Sequence, residues 1–425
     1  MILRINIRNG INLNIKKSEK FKTIKIYIDF MAPVNVNETS MRVLLAQILE
    51  TSSEKYPTQT ALAEQLSWMY GASFGASVFR YGNQQGIRFT FNLVNGKYLG
   101  LSNEKQAELI KSAFQFLNEV IFHPLLGDEA FDQETFIRQK ENVIDYLNSA
   151  LDDKQQLAAI ELRKLYYAND LAFANGVLGS VDLMQEVSNS KLFAYYKNSL
   201  NHNLVNISVL GDVDVDVIKK LVLKLPFDER NSEKLSSPFN HHQDFSLVKR
   251  NELDQPVSQS KLNFAFSFPV YWSEKDYFAA LVFNELLGAS PISMLFSNVR
   301  EKESLAYYAQ SVYSPYTGLL VVETGINSQD APHVEELVLQ QIRDINQGKF
   351  TKDQFDRVIS KIISDRQIAD DNQQALMGAM ILKELFGREL TNEEWFANIE
   401  HVLKEDVMTI ASKVKLQAVF FLKGA

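Results

Sequence analysis

The chain has 425 residues, of which 46% are hydrophobic and 23% charged, a balance that excludes a disordered chain and supplies apolar surface for more than one core. Its formal net charge of −8 and pI near 5.5, with lysines interspersed among acids, exclude a phosphate-binding stripe and so nucleic acid as a partner. Cysteine is absent, which excludes disulfides, thiolate metal sites and a cysteine nucleophile, and fits a reducing compartment.

The opening stretch Met1–Lys17 alternates apolar and polar residues, so it reads as a first strand and not as a signal peptide. No window approaches the roughly 20 apolar residues of a membrane span, so no membrane partner is expected and the cytoplasm is the expected location. Met41–Glu50 and Thr58–Met69 have helical periodicity, and Ala72–Val94 reads as two strands around Tyr81-Gly-Asn83 and Gly86. A helix-like run follows Phe136, and Leu204–Gly211 is an apolar strand. Phe227–Val248 is polar, contains Pro238 and lacks periodicity, as an interdomain linker does. Beyond it, Tyr277–Leu287 and Ile292–Glu301 read as helices, Ala306–Ile326 as two strands around Ser314-Pro-Tyr-Thr-Gly318, and Gln417–Leu422 as a closing strand.

That order is written twice. Phe136-Ile-Arg138, Asp152-Asp-Lys-Gln-Gln156 and Leu162-Arg-Lys-Leu-Tyr-Tyr167 return as Phe355-Asp-Arg357, Asp370-Asp-Asn-Gln-Gln374 and Leu382-Lys-Glu-Leu-Phe-Gly387, at an offset of 218 to 220 residues. Three landmarks at one spacing point to a duplication. The expected domains are 1–226 and 249–425, each α+β with hairpin-paired strands, joined by a linker at 227–248.

Local wording then points to a family. Leu49-Glu-Thr-Ser-Ser-Glu-Lys-Tyr-Pro57, Leu62-Ala-Glu-Gln-Leu66 and Tyr70-Gly-Ala-Ser-Phe74 resemble the stretch after the H-x-x-E-H helix of M16 (insulinase, pitrilysin, mitochondrial processing peptidase-like) peptidases. Leu204–Asp214 is similar to the strand closing that family's first domain. Leu295-Phe-Ser-Asn-Val-Arg-Glu-Lys-Glu-Ser-Leu-Ala-Tyr307 resembles its second-domain signature, Arg-Glu-Lys followed by Leu-Ala-Tyr. The resemblance covers nearly the whole chain. It implies two homologous domains of the LuxS/M16 metallohydrolase-like type, each an antiparallel-rich sheet covered by helices.

In H-x-x-E-H, two histidines on one helix face reach zinc and the glutamate serves as general base. Aligned back from Pro57, the motif falls on Val43-Leu-Leu-Ala-Gln47, so Val43, Ala46 and Gln47 stand where histidine, glutamate and histidine are required. The family's third ligand, a glutamate on a later helix, aligns with Tyr146. Glu141 and Asp145 lie near, but one carboxylate without two imidazoles makes a poor zinc site. No metal, no cofactor and no catalytic residue is therefore expected in this chain alone. The six histidines (His123, His202, His241, His242, His333, His401) form no zinc motif, and adjacent His241 and His242 read as surface residues. No nucleophile elbow, phosphate loop or dinucleotide fingerprint occurs. For the acid pairs Asp152-Asp153 and Asp370-Asp371 the expectation is helix capping or turns.

The resemblance further implies a division of labour known in two-chain members, where one chain carries H-x-x-E-H and the other an Arg/Tyr pair that reaches the substrate. Here the pair is Arg300 and Tyr307, with Ser304 marking a helix end before a strand. A guanidinium fork suits a peptide carbonyl or carboxylate, and a phenol can donate to a developing oxyanion. The bland alternative leaves Arg300 solvated and packs Tyr307. The expected partners are an extended peptide and an H-x-x-E-H-bearing M16 homologue in a heterodimer, with a homodimer when isolated. A scaffolding subunit and a stand-alone peptide-binding protein are the alternatives.

Overall fold

A computed structural model of the chain describes residues 2–230, 241–387 and 390–424. The residues pack as two compact units. One comprises Met1–Asn148, Val177–Ser236 and Asn372–Gly387, and the other Ser149–Gly176, Ser237–Asp371 and Arg388–Ala425. Most of the expected linker, 231–240, lies outside the described residues.

The first unit is built on β1 (Leu3–Arg8), β2 (Ile11–Lys17), β3 (Thr23–Pro33), β4 (Ser73–Tyr81), β5 (Gln84–Val94) and β6 (Leu204–Gly211). They form one sheet in the order β1-β2-β6-β3-β5-β4, in which only the β2·β6 pair is parallel. The expected single N-terminal strand is a hairpin, because Asn9-Gly10 turns the chain with Gly10 at φ +72°. Period-two alternation divides β3 cleanly. Ile24, Ile26, Ile28 and Phe30 enter the main core, while Tyr27 and Asp29 face the other way. On the core face lie α1 (Val36–Thr51), α2 (Gln59–Trp68), α3 (Asn103–Phe122) and α4 (Gln133–Asp152). Asn35 caps α1 by accepting from the Asn37 N–H, and Thr58 caps α2 by accepting from the Ala61 N–H. Leu44, Leu45, Ile48 and Leu49 of α1 are buried with Phe114, Leu117, Val120 and Ile121 of α3.

The second unit has β7 (Lys249–Asp254), β8 (Ser260–Ser267), β9 (Ala306–Ser314), β10 (Leu319–Ile326) and β11 (Lys415–Lys423), in the order β7-β11-β8-β10-β9 with only β7·β11 parallel. That order and those directions repeat β2-β6-β3-β5-β4. The α+β class with two sheets of one topology is what the duplicated sequence implies. The expected helix over Ile292–Glu301 differs in kind, since Pro291 drives Ser290 into extended backbone and the chain rewinds over Leu295–Lys302 as a π-helix.

The compact units do not follow the sequence halves. α5 (Lys154–Tyr166), which opens at the first copied Asp-Asp landmark, packs on β8 and β11 of the second unit through Ala158, Leu162 and Tyr166. Its counterpart in the repeat, helix Gln373–Phe386, belongs to the first unit, where Met377, Met380 and Ile381 cover Tyr27 and Leu210. Polar contacts pin that helix at both ends. Gln373 exchanges hydrogen bonds with Thr23 (2.7 Å to Oγ1, 3.0 Å to the carbonyl), and Glu384 pairs with Arg4 at 2.7 Å and accepts from Asn12 at 2.9 Å. The acid pairs serve as expected in one respect, with Asp153 capping α5, whereas Asn372 caps the later helix.

Because Ile381 is fully buried against the outer face of the first sheet, Ile381→Ala should cost about 2 to 5 kcal/mol by cavity formation, whereas exposed Ile368→Ala should stay within about 0.5 kcal/mol. Urea unfolding of the two variants checks this.

Candidate functional site

Val43, Ala46 and Gln47 share one face of α1, because residues three and four apart align on a helix, and Val43 and Ala46 are themselves buried at the edge of the core. Together with Asn142, Val143 and Tyr146 of α4, Ala76, Ser77 and Val78 of β4, and Leu178, they line a cavity of about 450 Å³. All four positions aligned with the zinc motif therefore meet in one place. Their chemistry does not suit the metal. Valine and alanine carry no donor, a glutamine amide is a weak neutral one, and Tyr146 is 59% exposed. Glu141 and Asp145 are exposed on α4 and do not line the cavity. Among the described residues no group of three or more His, Asp or Glu side chains is gathered as a metal ion requires. The two linker histidines differ from the surface residues expected. His241 stacks on Phe173 with ring centroids 4.1 Å apart, and His242 Nδ1 lies 2.7 Å from the Tyr271 hydroxyl, so both are half-buried.

One turn farther along α1 the groove opens into a second pocket of about 370 Å³ that shares Gln47 and Asn142 with the first. Leu62, Ala63 and Leu66 of α2 and Phe74 of β4 give it an apolar wall, and Gln139, Asn142 and Glu50 a polar one. Asn142 donates to Gln139 Oε1 at 3.3 Å. Burial pushes the Glu50 carboxyl above the usual carboxylate range, partly offset by a hydrogen bond from the Ala76 backbone N–H. Sequence reasoning quoted Glu50 within Leu49–Pro57 without giving it a role. The available signal was its place three residues after Gln47, on the same face of the helix as the positions aligned with the zinc motif. Both pockets border β4, the edge strand of the sheet.

In the second unit, Arg300 sits on the π-helical segment, which Leu295 and Val299 anchor in the core. Its guanidinium lies 4.6 Å from the centroid of the Phe296 ring, so the side chain is held while its donors stay exposed. The segment ends where Leu305 N–H donates to the Val299 carbonyl at 3.1 Å and Ser304 takes φ +55°, turning the chain into edge strand β9. Tyr307 is 61% exposed at the start of that strand. Neither side chain has a hydrogen-bond partner among the described residues; an exposed Arg300 is what the bland alternative expects, and an exposed Tyr307 is not. Close backbone approach fixes the region. A Cβ on Gly288 would come within 2.7 Å of the Ser311 nitrogen in β9.

Comparison with known proteins accords with this geometry. Residues 186–362 match the family model described as the peptidase M16 inactive domain. The chain is 29% identical over 418 residues to the probable inactive metalloprotease YmfF of Bacillus subtilis, covering 98% of this chain and 96% of that protein. A crystal structure of a conserved protein from Enterococcus faecalis V583 is 34% identical, with a TM-score of 0.94 and coverage of 100% of this chain and 99% of that one. The peptidase M16 inactive domain from Pseudomonas fluorescens shares the fold, with a TM-score of 0.78 at 16% identity over 100% of this chain and 98% of that one. With a paired-sheet fold, a degenerate motif gathered at one cavity and these relatives, the chain belongs to the M16 peptidase family, without the side chains that would hold the family's zinc.

Proposed function

We propose that this protein is a non-catalytic M16-type subunit that binds extended peptides and complements an H-x-x-E-H-bearing homologue, which carries out hydrolysis. The observation that carries the reading is the state of Arg300 and Tyr307. Both are exposed and without a hydrogen-bond partner among the described residues, Arg300 near the end of the π-helical segment and Tyr307 at the start of β9, as groups awaiting a ligand would be. Arg300 offers a planar fork to a peptide carbonyl or carboxylate, and Tyr307 a hydroxyl to charge developing on a carbonyl oxygen. Edge strands supply the rest. β4 and β9 each have an unpaired side to which an extended peptide can add by backbone hydrogen bonding. The cysteine-free composition suits a reducing compartment, and we place the protein in the cytoplasm. Among the described residues no helix is long and apolar enough to cross a membrane.

In a reconstituted pair, Tyr307→Phe should lower kcat by about 100- to 1000-fold with little change in KM, the effect of removing an oxyanion donor from a preorganised site. Arg300→Ala should lower kcat and also raise KM. Unchanged activity in both variants would assign the chain to scaffolding. Peptide binding that survives without any effect of this chain on the partner's turnover would assign it to peptide capture.

Elemental analysis of the purified chain should find no stoichiometric zinc, because the donors at the motif positions are wrong and not because the cavity has closed. Combining Val43→His, Ala46→Glu, Gln47→His and Tyr146→Glu should therefore create binding for one zinc ion per chain. Zinc bound in this cavity of the unaltered protein would contradict the reading.

A further inference from the structure

The groove contains a carboxyl group that no cationic side chain meets among the described residues. Glu50 is half-buried, and no lysine, arginine or histidine pairs with it among the described residues; its one partner in the structure is the Ala76 N–H. Retaining a desolvated carboxylate costs free energy unless a cation meets it. The pocket is also mixed in character, lined by apolar Leu62, Leu66 and Phe74 together with Glu50 and the amide side chains of Gln139 and Asn142.

We propose that this pocket recognises a long basic side chain of a bound peptide, with Glu50 as its counter-charge. The inference rests on the peptide-binding reading above and deepens it. A lysine or arginine side chain has the matching partition, a methylene stem for the wall and a charged head for the carboxylate. Asn142 Oδ1, and the second lone pair of Gln139 Oε1 beside the bond it accepts from Asn142, can accept the remaining N–H donors of that head. An acidic side chain meets a like charge there. A purely apolar one fills the wall but leaves Glu50 dry and unpaired, so the pocket discriminates by what it leaves unsatisfied as well as by what it binds. The site's border with β4 fits the same picture, since side chains of a peptide extended along that edge alternate in direction and every second one can enter a pocket.

The test uses the full chain and fluorescent peptides with blocked termini, in which one lysine is moved through an otherwise neutral sequence. Each has a twin with norleucine, which keeps the stem and lacks the charge. At the position that enters the pocket, lysine should bind about tenfold tighter than norleucine in anisotropy titrations, a gap typical of one charge-assisted contact. Glu50→Gln, whose amide oxygen can still accept from Ala76, should shrink that preference below about twofold. Glu50→Lys should shift it to glutamate-bearing peptides. If peptides bind but lysine and norleucine are equivalent in the unaltered protein, or if the preference persists in Glu50→Gln, the assignment of Glu50 is wrong while peptide binding stands. If no peptide binds at all, the peptide-binding reading falls and this site with it. The comparison within the unaltered protein decides the matter even if a variant fails to fold.

Discussion

Helix α1 has to satisfy two surroundings at once, and the architecture of the first unit depends on how it does so. Its core stripe of Leu44, Leu45, Ile48 and Leu49 is almost fully buried, each side chain contributing about 1.5 to 3 kcal/mol of transfer free energy. That burial fixes the rotation of the helix about its axis. Once the rotation is fixed, Val43, Ala46, Gln47 and Glu50 must face the groove between α1, α4 and β4, whatever their chemistry. The cavity therefore keeps its shape whatever chemistry these positions carry. Arg42 is buried on the same helix, where Nη2 pairs with Glu38 at 3.0 Å and the guanidinium lies 5.6 Å from the Tyr195 ring centroid.

A second constraint acts on the opposite face of the first sheet. Asp29 is fully buried and makes two hydrogen bonds with Arg88, at 2.7 and 3.1 Å, and Arg88 in turn lies 4.5 Å from the Tyr27 ring centroid. Burial raises the Asp29 carboxyl, and the Arg88 charge opposes that shift. Such a face cannot be left open without exposing Tyr27 and Leu210, nor covered by a purely apolar helix without stranding its polar groups. Helix Gln373–Phe386 meets both needs with Met377, Met380 and Ile381 in the middle and Gln373 and Glu384 at its ends.

These two constraints explain what could be read from residues alone. The strand Leu204–Gly211 was legible to the residue because its apolar run ends at a glycine. The paired strands around Tyr81-Gly-Asn83 and around Ser314–Gly318 were legible because alternation and turn chemistry agree. The positions aligned with the zinc motif could be picked out only through the order of motifs, and the structure brings Val43, Ala46, Gln47 and Tyr146 to one cavity. The allocation of α5 and Gln373–Phe386 was not legible. Amphipathic periodicity states that a helix has a face to bury and is silent on which sheet receives it. The π-helical winding of Leu295–Lys302 was equally hidden, because apolar spacing over so short a segment serves α and π turns alike.

Glu50 and the Arg300/Tyr307 pair were unequal tasks for the same reason. A signature spanning Arg300 to Tyr307 carries information because several residues must be right together. A single glutamate carries almost none until its surroundings are known. On a solvated helix face Glu50 would be unremarkable, and only the pocket walls turn it into a part-buried carboxyl without a cationic partner. The groove can thus lose the side chains that hold a metal and still discriminate between ligands. Its apolar part follows from the packing of α2 and β4, and its one acidic group stands at a position that packing leaves free.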